Sequence, residues 1–150
     1  MALDLTLLKK LREETGISIS ECRQALEEAE GNYDKALTLL KAKAEKVAAK
    51  KADRETGQGI VETYVHGNGK IGVMVMLLCE TDFVAKTDEF KHLGHEIAMQ
   101  VAAMDPKDVE ELLKQEYIKD PSVTIEKMVK EAIQKTGENI IVKKFERFAI

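Results

Sequence analysis

Apolar residues recur at helical spacing in three short runs within residues 1–40. Thr15-Gly16 supplies a stop signal after the first run, the capping pattern Ser18–Glu21 opens the second, and Gly31 separates the second run from the third. Each predicted helix is too short to be stable alone in water, because the cost of nucleation outweighs the few hydrogen bonds that a short helix gains. The pattern therefore predicts that the three helices pack into one small bundle.

Residues 41–56 follow a different pattern, with six Lys or Arg residues, three Asp or Glu residues, and Ala at most other positions. Strong helix formers with little apolar surface predict a solvated helical linker, and such charge runs more often solvate a surface than bind RNA. Gly57-Gln58-Gly59 breaks this segment and marks the start of a second unit, residues 57–150. The bundle before the linker has the size and pattern of a ubiquitin-associated-like (UBA-like) module, a type of domain that binds partners and carries no chemistry of its own.

The second unit begins with a β-branched run, residues 60–66, followed by a hairpin turn with the Asn68-Gly69 signal. Residues 71–79 are apolar at every position but Gly72, which predicts a central strand covered on both sides. The remaining pattern predicts three helices and a bulged closing strand, at 88–104, 107–117 (weaker), 123–136 and 139–150. Gly94 lies inside the first of these helices and predicts a close approach by another element. The fold class is therefore α+β, with a small antiparallel sheet packed by helices.

A polar segment containing one phenylalanine, Thr81-Asp82-Phe83-Val84, separates the apolar strand from the helix that follows. One interpretation is a simple helix N-terminus, in which Thr81 or Asp82 forms the cap and Phe83 folds back onto the core. The other is a binding loop held between rigid elements, in which Phe83 is an apolar wedge with an anion beside it. Local chemistry alone favours the first interpretation.

Composition and charge exclude several classes of protein. A net charge of −4 argues against a nucleic-acid binder, and the longest apolar run is far too short to cross a bilayer. Neither a secretory leader nor a membrane anchor is expected. Cys22 and Cys79 lie far apart in the sequence, without a metal-binding or redox spacing, which is typical of reduced, buried thiols in a cytoplasmic protein.

The sequence contains several weak signals for catalysis or cofactor binding. Residues 67–72 match the string GxGxxG, but a strand follows where the dinucleotide fingerprint requires a helix. His92 and His95 lie three positions apart on one predicted helix, although no set of Cys or carboxylate ligands completes a metal shell around them. We therefore expect no metal, no cofactor and no covalent catalysis, and the residues alone indicate a binding protein.

Five ordered segments of the chain resemble the translation elongation factor Ts family. They are Leu11–Gly16 with Cys22–Leu26, Lys50–Arg54, Glu80–Ala85 and Gly137–Ile140. The resemblance covers essentially the whole chain. It implies a cytoplasmic guanine-nucleotide exchange factor that binds elongation factor Tu and promotes the release of GDP, without being an enzyme that makes or breaks covalent bonds.

The resemblance also implies which residues act. Thr81, Asp82, Phe83 and Val84 would enter the partner GTPase and disturb its magnesium site. The UBA-like module would dock on the same partner through Arg23, where many members carry Lys, and Thr136 and Gly137 would form a further contact. Longer members carry two related core halves, so this chain resembles a short form that pairs as a homodimer through the apolar residues Met74, Met76, Phe145 and Phe148.

Three alternatives remain open from the sequence. A non-catalytic adaptor would join the UBA-like module to a dimerisation unit, and in it Phe83 would be buried and its loop dispensable. A protein that binds RNA through residues 41–56 would show salt-dependent affinity. An enzyme built on His92, His95 and Cys79 would lose activity on chelation. The ordered motifs favour the exchange factor over all three.

Overall fold

The structure is a computed structural model, and it describes residues 2–150. Helices and strands mix along the chain, as the α+β prediction requires. The elements are α1 (Leu5–Thr15), α2 (Ile19–Glu28), α3 (Tyr33–Lys51), β1 (Gln58–His66), β2 (Ile71–Cys79), α4 (Asp82–Ala85), α5 (Asp88–Met104), α6 (Val109–Lys114), β3 (Glu116–Tyr117), β4 (Asp120–Thr124), α7 (Ile125–Thr136) and β5 (Ile141–Ala149). Within the described residues, no helix has both the length and the hydropathy needed to cross a membrane.

The N-terminal part is a three-helix module whose helices begin at side-chain caps. Asp4, Ser18 and Asn32 each accept hydrogen bonds from backbone N–H groups in the first turn of the helix that follows. The helices enclose a separate small core that includes the fully buried Leu11 and Leu40. The predicted bundle is thus present, whereas its likeness to a UBA module stays a prediction.

The third helix does not stop at residue 40, where the sequence pattern places a boundary. α3 runs without a break from Tyr33 to Lys51, and its second half is not a solvated spacer, because Ala44 and Ala48 are buried. This face packs against α7, and Lys130 on α7 donates to Glu45 at 2.7 Å. Small alanine side chains let the two helices approach closely, so a segment with little apolar surface forms a helix–helix contact.

The main sheet is antiparallel in the order β1-β2-β5, with β2 in the centre as predicted. One face of β2, containing Val73, Val75 and Leu77, is buried beneath the helices. A Cβ atom added at Gly94 of α5 would lie 3.2 Å from Cδ1 of Ile60, which confirms the predicted close approach of another element. The register of β2 and β5 shifts between Met76 and Leu77, which confirms the predicted bulge.

The other face of the sheet is uncovered, so the prediction that β2 is covered on both sides is wrong for the single chain. Met74, at the centre of this face, is 52% exposed. The bulge also places Phe145 opposite Val75 on the covered face, so this residue does not belong to the apolar surface predicted for pairing. We call the uncovered apolar surface the open sheet face; its residues are Val61, Val65, Met74, Met76 and Phe148.

A second, two-stranded sheet replaces the end of the helix predicted at 107–117. The helical part is shorter, Val109–Lys114, and β3 and β4 form a small hairpin after it. Two buried polar side chains of α5 hold this hairpin. Gln100 bonds to backbone groups of Glu116 and Ile118, and Glu96 accepts from the Tyr117 hydroxyl and from Lys119. β3 is too short to carry a periodic pattern, and Asp120-Pro121 in β4 is a turn signal, which is why the sequence does not predict these strands.

Burial and pairing oppose each other at Glu96, whose side chain is only 5% exposed. Burial alone would raise the pKa of this carboxyl group, but the hydrogen bonds from Tyr117 and Lys119 outweigh it and lower the pKa. The paired carboxylate therefore contributes stability above the pKa of an unfolded glutamate, and this contribution is lost as the pH falls through the lowered value.

Gly59, near the start of β1, lies so close to the neighbouring strand β2 that no side chain fits there. Its φ angle is +154°, and a Cβ atom there would lie 2.8 Å from Cα of Leu78, closer than real atoms approach. We expect Gly59→Ala to lower the free energy of unfolding by about 2 kcal/mol, measured by urea denaturation, because backbone atoms cannot move aside as a side chain can.

Gly57→Ala is the matched control for this substitution. Gly57 lies two residues earlier, and a Cβ atom there would meet nothing within 4 Å. We expect its effect to stay within about 0.5 kcal/mol. Equal stabilities of the two variants would contradict the close contact described at Gly59.

Candidate functional site

Residues 80–86, which we call the Phe83 loop, begin where the central strand leaves the sheet. The pairing of β2 with β1 ends at Cys79, and its pairing with β5 ends at Leu78. The chain then makes the single helical turn α4 and continues to Thr87, which caps α5. The loop therefore has a buried strand on one side and a long buried helix on the other, and both ends are fixed.

The one-turn helix α4 points two side chains towards the core and two towards solvent. Ala85 is buried and Val84 packs against the main core, whereas Asp82 and Phe83 face outward. The Thr81 hydroxyl accepts from the Val84 N–H at 3.3 Å, so Thr81 forms the predicted helix cap. Phe83, in contrast, is 90% exposed, and the interpretation in which it folds back onto the core is wrong.

Asp82 carries the negative charge beside the exposed ring. Its carboxylate lies 2.7 Å from Nζ of Lys86, one helical turn later, and the hydrogen bond raises the pKa of Lys86. Both side chains are exposed to solvent, and an ion pair in that setting contributes little stability. The ion pair therefore constrains Asp82 only weakly.

One carboxylate, that of Glu138, holds the start of the Phe83 loop. Oε1 accepts from the N–H groups of Glu80 at 3.2 Å and of Thr81 at 2.9 Å. Oε2 accepts from the Thr81 hydroxyl at 2.6 Å. Hydrogen bonds to an ionised acceptor are stronger than those between neutral groups. Glu138 therefore forms a junction between the Phe83 loop and the segment that follows α7, far along the chain.

A reciprocal set of bonds extends this junction to the end of α3. Glu80 accepts from the Asn139 N–H at 2.7 Å, and its carboxylate lies 3.6 Å from the Arg54 guanidinium. The buried Asn139 side chain donates to the carbonyl groups of Ala52 and Arg54 at 3.3 and 3.0 Å. Three segments distant in sequence thus meet beneath the Phe83 loop.

Thr136 and Gly137, predicted as partner contacts, lie directly before this junction. Gly137 ends α7 in the left-handed conformation with a φ angle of +74°. The Thr136 hydroxyl donates to the Ala132 carbonyl at 2.9 Å and accepts from the Glu138 N–H at 3.2 Å. Both residues therefore lie close to the Phe83 loop. The Thr136 side chain is already hydrogen-bonded, and it helps to orient Glu138.

Arg23, the third predicted docking residue, lies on α2 in the N-terminal module and is exposed. Among the described residues, Arg23 makes none of the contacts that join the Phe83 loop to Glu138. Its role in docking stays a prediction.

Sequence reasoning assigned no role to Glu80, Glu138 and Asn139. The signal was present, since all three lie in the segments that resemble a family. Two acidic residues in separate motifs do not by themselves indicate which backbone groups they accept from, so the junction becomes visible only in three dimensions.

The residues weighed for a metal site are dispersed. His92 lies 3.6 Å from Glu96 on the surface of α5, His95 packs edge-on against Tyr64, and Cys79 is buried and donates to the Thr81 carbonyl. Burial raises the pKa of the Cys79 thiol. In the part of the chain that the structure describes, no three His, Cys, Asp or Glu residues are grouped so that they could hold a metal ion.

Comparison with known proteins gives one consistent result. A family model described as "Elongation factor TS" matches residues 80–150, which include the Phe83 loop and Glu138. Elongation factor Ts of Fervidobacterium nodosum is 40% identical over 195 aligned positions, covering 100% of this chain and 99% of that protein. Elongation factor Ts of Thermotoga neapolitana is 39% identical over 193 positions, covering 100% of this chain and 98% of that protein.

The aligned lengths exceed the 150 residues of this chain, so these relatives have residues for which this chain has no counterpart. The similarity nevertheless extends over the whole chain and nearly the whole of each relative. The chain belongs to the elongation factor Ts family and is a translation elongation factor.

Proposed function

We propose that this protein is a guanine-nucleotide exchange factor that binds elongation factor Tu with GDP and promotes the release of the nucleotide. The observation that carries the proposal is the 90% exposure of Phe83 beside Asp82, on a loop fixed at both ends. An adaptor that used the loop only as a helix cap would have a buried Phe83, so the exposed ring favours the exchange factor over that alternative.

The proposed mechanism is a shift in the conformational population of the partner. Mg²⁺ and phosphate-binding backbone groups hold GDP tightly in a GTPase, and disturbing the ion removes a large favourable contribution. The Phe83 ring enters the partner beside this site, and Asp82 adds a negative charge, while Thr81 and Val84 hold the turn. A wedge that fits only the distorted GTPase favours its nucleotide-poor state. By linkage, the factor weakens GDP binding as much as GDP weakens binding of the factor.

Binding extends beyond the loop in this proposal. The N-terminal module docks on the GTPase domain with the help of Arg23, and the surface around Thr136 and Gly137 forms a further contact beside the loop. The factor acts in the cytoplasm through protein–protein contacts, makes no covalent bond and needs no cofactor. It does not bind nucleic acid directly.

The open sheet face supports a homodimer as the working form. Val61, Val65, Met74 and Phe148 are each more than half exposed, and they lie on adjacent strands of one surface. Contiguous apolar surface of this kind marks an interaction site. A two-fold axis would cover the same residues on both copies with one self-complementary contact.

The test is the release of fluorescently labelled GDP from purified elongation factor Tu in an excess of unlabelled nucleotide. We expect substoichiometric amounts of this protein to accelerate release, because an exchange factor dissociates from its product and acts again. A well-folded protein that gives no acceleration at any concentration would overturn the proposal and favour the adaptor.

A further inference from the structure

We propose that Glu138 is the positioning residue of the Phe83 loop: its carboxylate fixes the turn that presents Phe83 to the partner. The proposal rests on the proposed function for its consequence, since a misplaced Phe83 would slow nucleotide release. Its structural content is independent of the partner, because every contact involved lies within this chain.

The first step concerns the backbone where β2 leaves the sheet. The N–H groups of Glu80 and Thr81 lie beyond the last residues that pair with β1 and β5. Without another acceptor, these donors would be left to water and the chain would be free to turn in several directions. Glu138 accepts from both with one oxygen, at 3.2 and 2.9 Å, and thereby selects a single direction for the loop.

The second step concerns the Thr81 hydroxyl, which acts as a relay. It donates its hydrogen to Oε2 of Glu138 at 2.6 Å, and this direction leaves its lone pairs available to the Val84 N–H at 3.3 Å. Glu138 therefore sets the orientation of the cap that starts the turn α4. Residues 81 and 84, on either side of Asp82 and Phe83, are both held by the same short chain of hydrogen bonds.

The third step concerns Phe83 itself. A ring that is 90% exposed has almost no packing of its own to define its direction, so its position depends on the backbone of the turn. Small displacements matter in such a site, since an error of about 1 Å in the position of an acting group reduces a rate about 100-fold in enzymes.

Glu138 is itself well placed for this role. Gly137 ends α7 in the left-handed conformation, and the Thr136 hydroxyl accepts from the Glu138 N–H at 3.2 Å. On the other side, Asn139 is buried and bonded to Glu80 and to the end of α3. The carboxylate thus extends from a rigid helix end rather than from a mobile loop, as precise positioning requires.

The test uses three variants of the full chain. Glu138→Ala removes all three bonds, and Glu138→Gln keeps the shape but exchanges one acceptor oxygen for a donor. Thr81→Val removes the relay alone. Glu131→Gln is the matched control, because Glu131 lies on α7 and makes no hydrogen bond to the loop among the described residues. Thermal unfolding establishes first that each variant is folded.

Amide hydrogen exchange in the isolated protein gives the readout that does not involve the partner. We expect the Thr81 and Val84 amides to exchange at least about tenfold faster in Glu138→Ala, since each loses part of a charge-assisted network. Glu138→Gln and Thr81→Val should speed exchange at Val84, and combining these two changes should add little, because both break the same relay.

Release of GDP from elongation factor Tu gives the second readout. We expect Glu138→Ala to lower the maximal rate about tenfold and to change the half-saturating concentration less, because the N-terminal module still docks. Unchanged amide exchange at Thr81 and Val84 in Glu138→Ala would overturn the positioning role. If the natural chain fails to accelerate GDP release, the proposed function is wrong, and the amide measurements alone then decide the role of Glu138.

Discussion

Replacement of Phe83 by alanine is expected to reduce the acceleration of GDP release from elongation factor Tu about 100-fold at subsaturating concentrations of the factor. Complete burial of a phenylalanine side chain is worth about 1.5–3 kcal/mol, and this energy is gained only when the ring enters the partner. Because Phe83 is 90% exposed in the free protein, its removal should leave the fold and the thermal unfolding temperature unchanged. The measurement is the rate of release of labelled GDP as a function of factor concentration.

Asp82→Ala is a second test variant for this expectation, and Ile118→Ala is its control. Asp82 is also exposed, and its replacement should lower the acceleration of GDP release about tenfold. A single charge beside a metal site contributes less than the Phe83 ring buried in the partner. Ile118 is an exposed apolar residue of the β3–β4 hairpin and serves as the matched control, for which we expect no change. Full acceleration by Phe83→Ala would place the active surface elsewhere on the molecule.

A charge on the open sheet face is expected to convert a dimer into monomers. Met74 lies at the centre of this face, between Thr63 of β1 and Glu146 of β5, and Phe148 lies opposite Gly72. Met74→Asp combined with Phe148→Asp would replace the apolar side chains at two positions per chain with carboxylates, four per dimer, one in each chain beside Glu146, and unpaired charges buried in an interface are costly. We expect the dissociation constant of the dimer to rise at least about 100-fold, measured by sedimentation equilibrium.

Ile118→Asp is the control for this pair, because it adds the same charge to an exposed residue outside the open sheet face. It should leave the dimer intact, as should Phe83→Ala. A natural chain that sediments as a monomer at micromolar concentration would contradict the homodimer. A double variant that still sediments as a dimer would instead mean that the two copies meet through another surface.

Most of the fold could be predicted from local signals. The helix cap Ser18, the Asn68-Gly69 turn, the central position of β2 and the bulge in β5 each follow from a few neighbouring residues. Such features are set by backbone geometry and short-range hydrogen bonds, which is the information that a sequence pattern carries.

The features that escaped prediction depend on what lies opposite a residue. The strand 71–79 is apolar on both faces, but a pattern of this kind does not distinguish cover by the same chain from exposure to a second copy. The alanines of α3 were predicted to bury little, because α7, which covers them, is distant in sequence. The β3–β4 hairpin was missed because a strand of two residues shows no period and Asp120-Pro121 in β4 is a turn signal.

The candidate site also has a part that could be predicted from the sequence and a part that could not. The segment Thr81–Val84 was identified by its resemblance to a family and by its place after a buried strand, and Thr81 was among the predicted caps. Local chemistry wrongly favoured a Phe83 packed on the core, and only the resemblance to a family indicated the exposed ring that the structure shows. Glu138 contributes through an acceptor geometry that brings together residues 57 and 58 positions apart, and no local pattern records such a contact.

The continuity of α3 has a consequence for the entropy of association. Its 19 residues form a rod of roughly 28 Å that belongs to the N-terminal module at one end and packs on α7 at the other. Two contact regions joined by a flexible tether would each have to be ordered when a partner binds, whereas regions on one rigid rod are ordered during folding. A partner that contacts both the N-terminal module and the core, as we propose for elongation factor Tu, would therefore meet a preset spacing, and recognition would select for shape across the whole span rather than at each contact in turn.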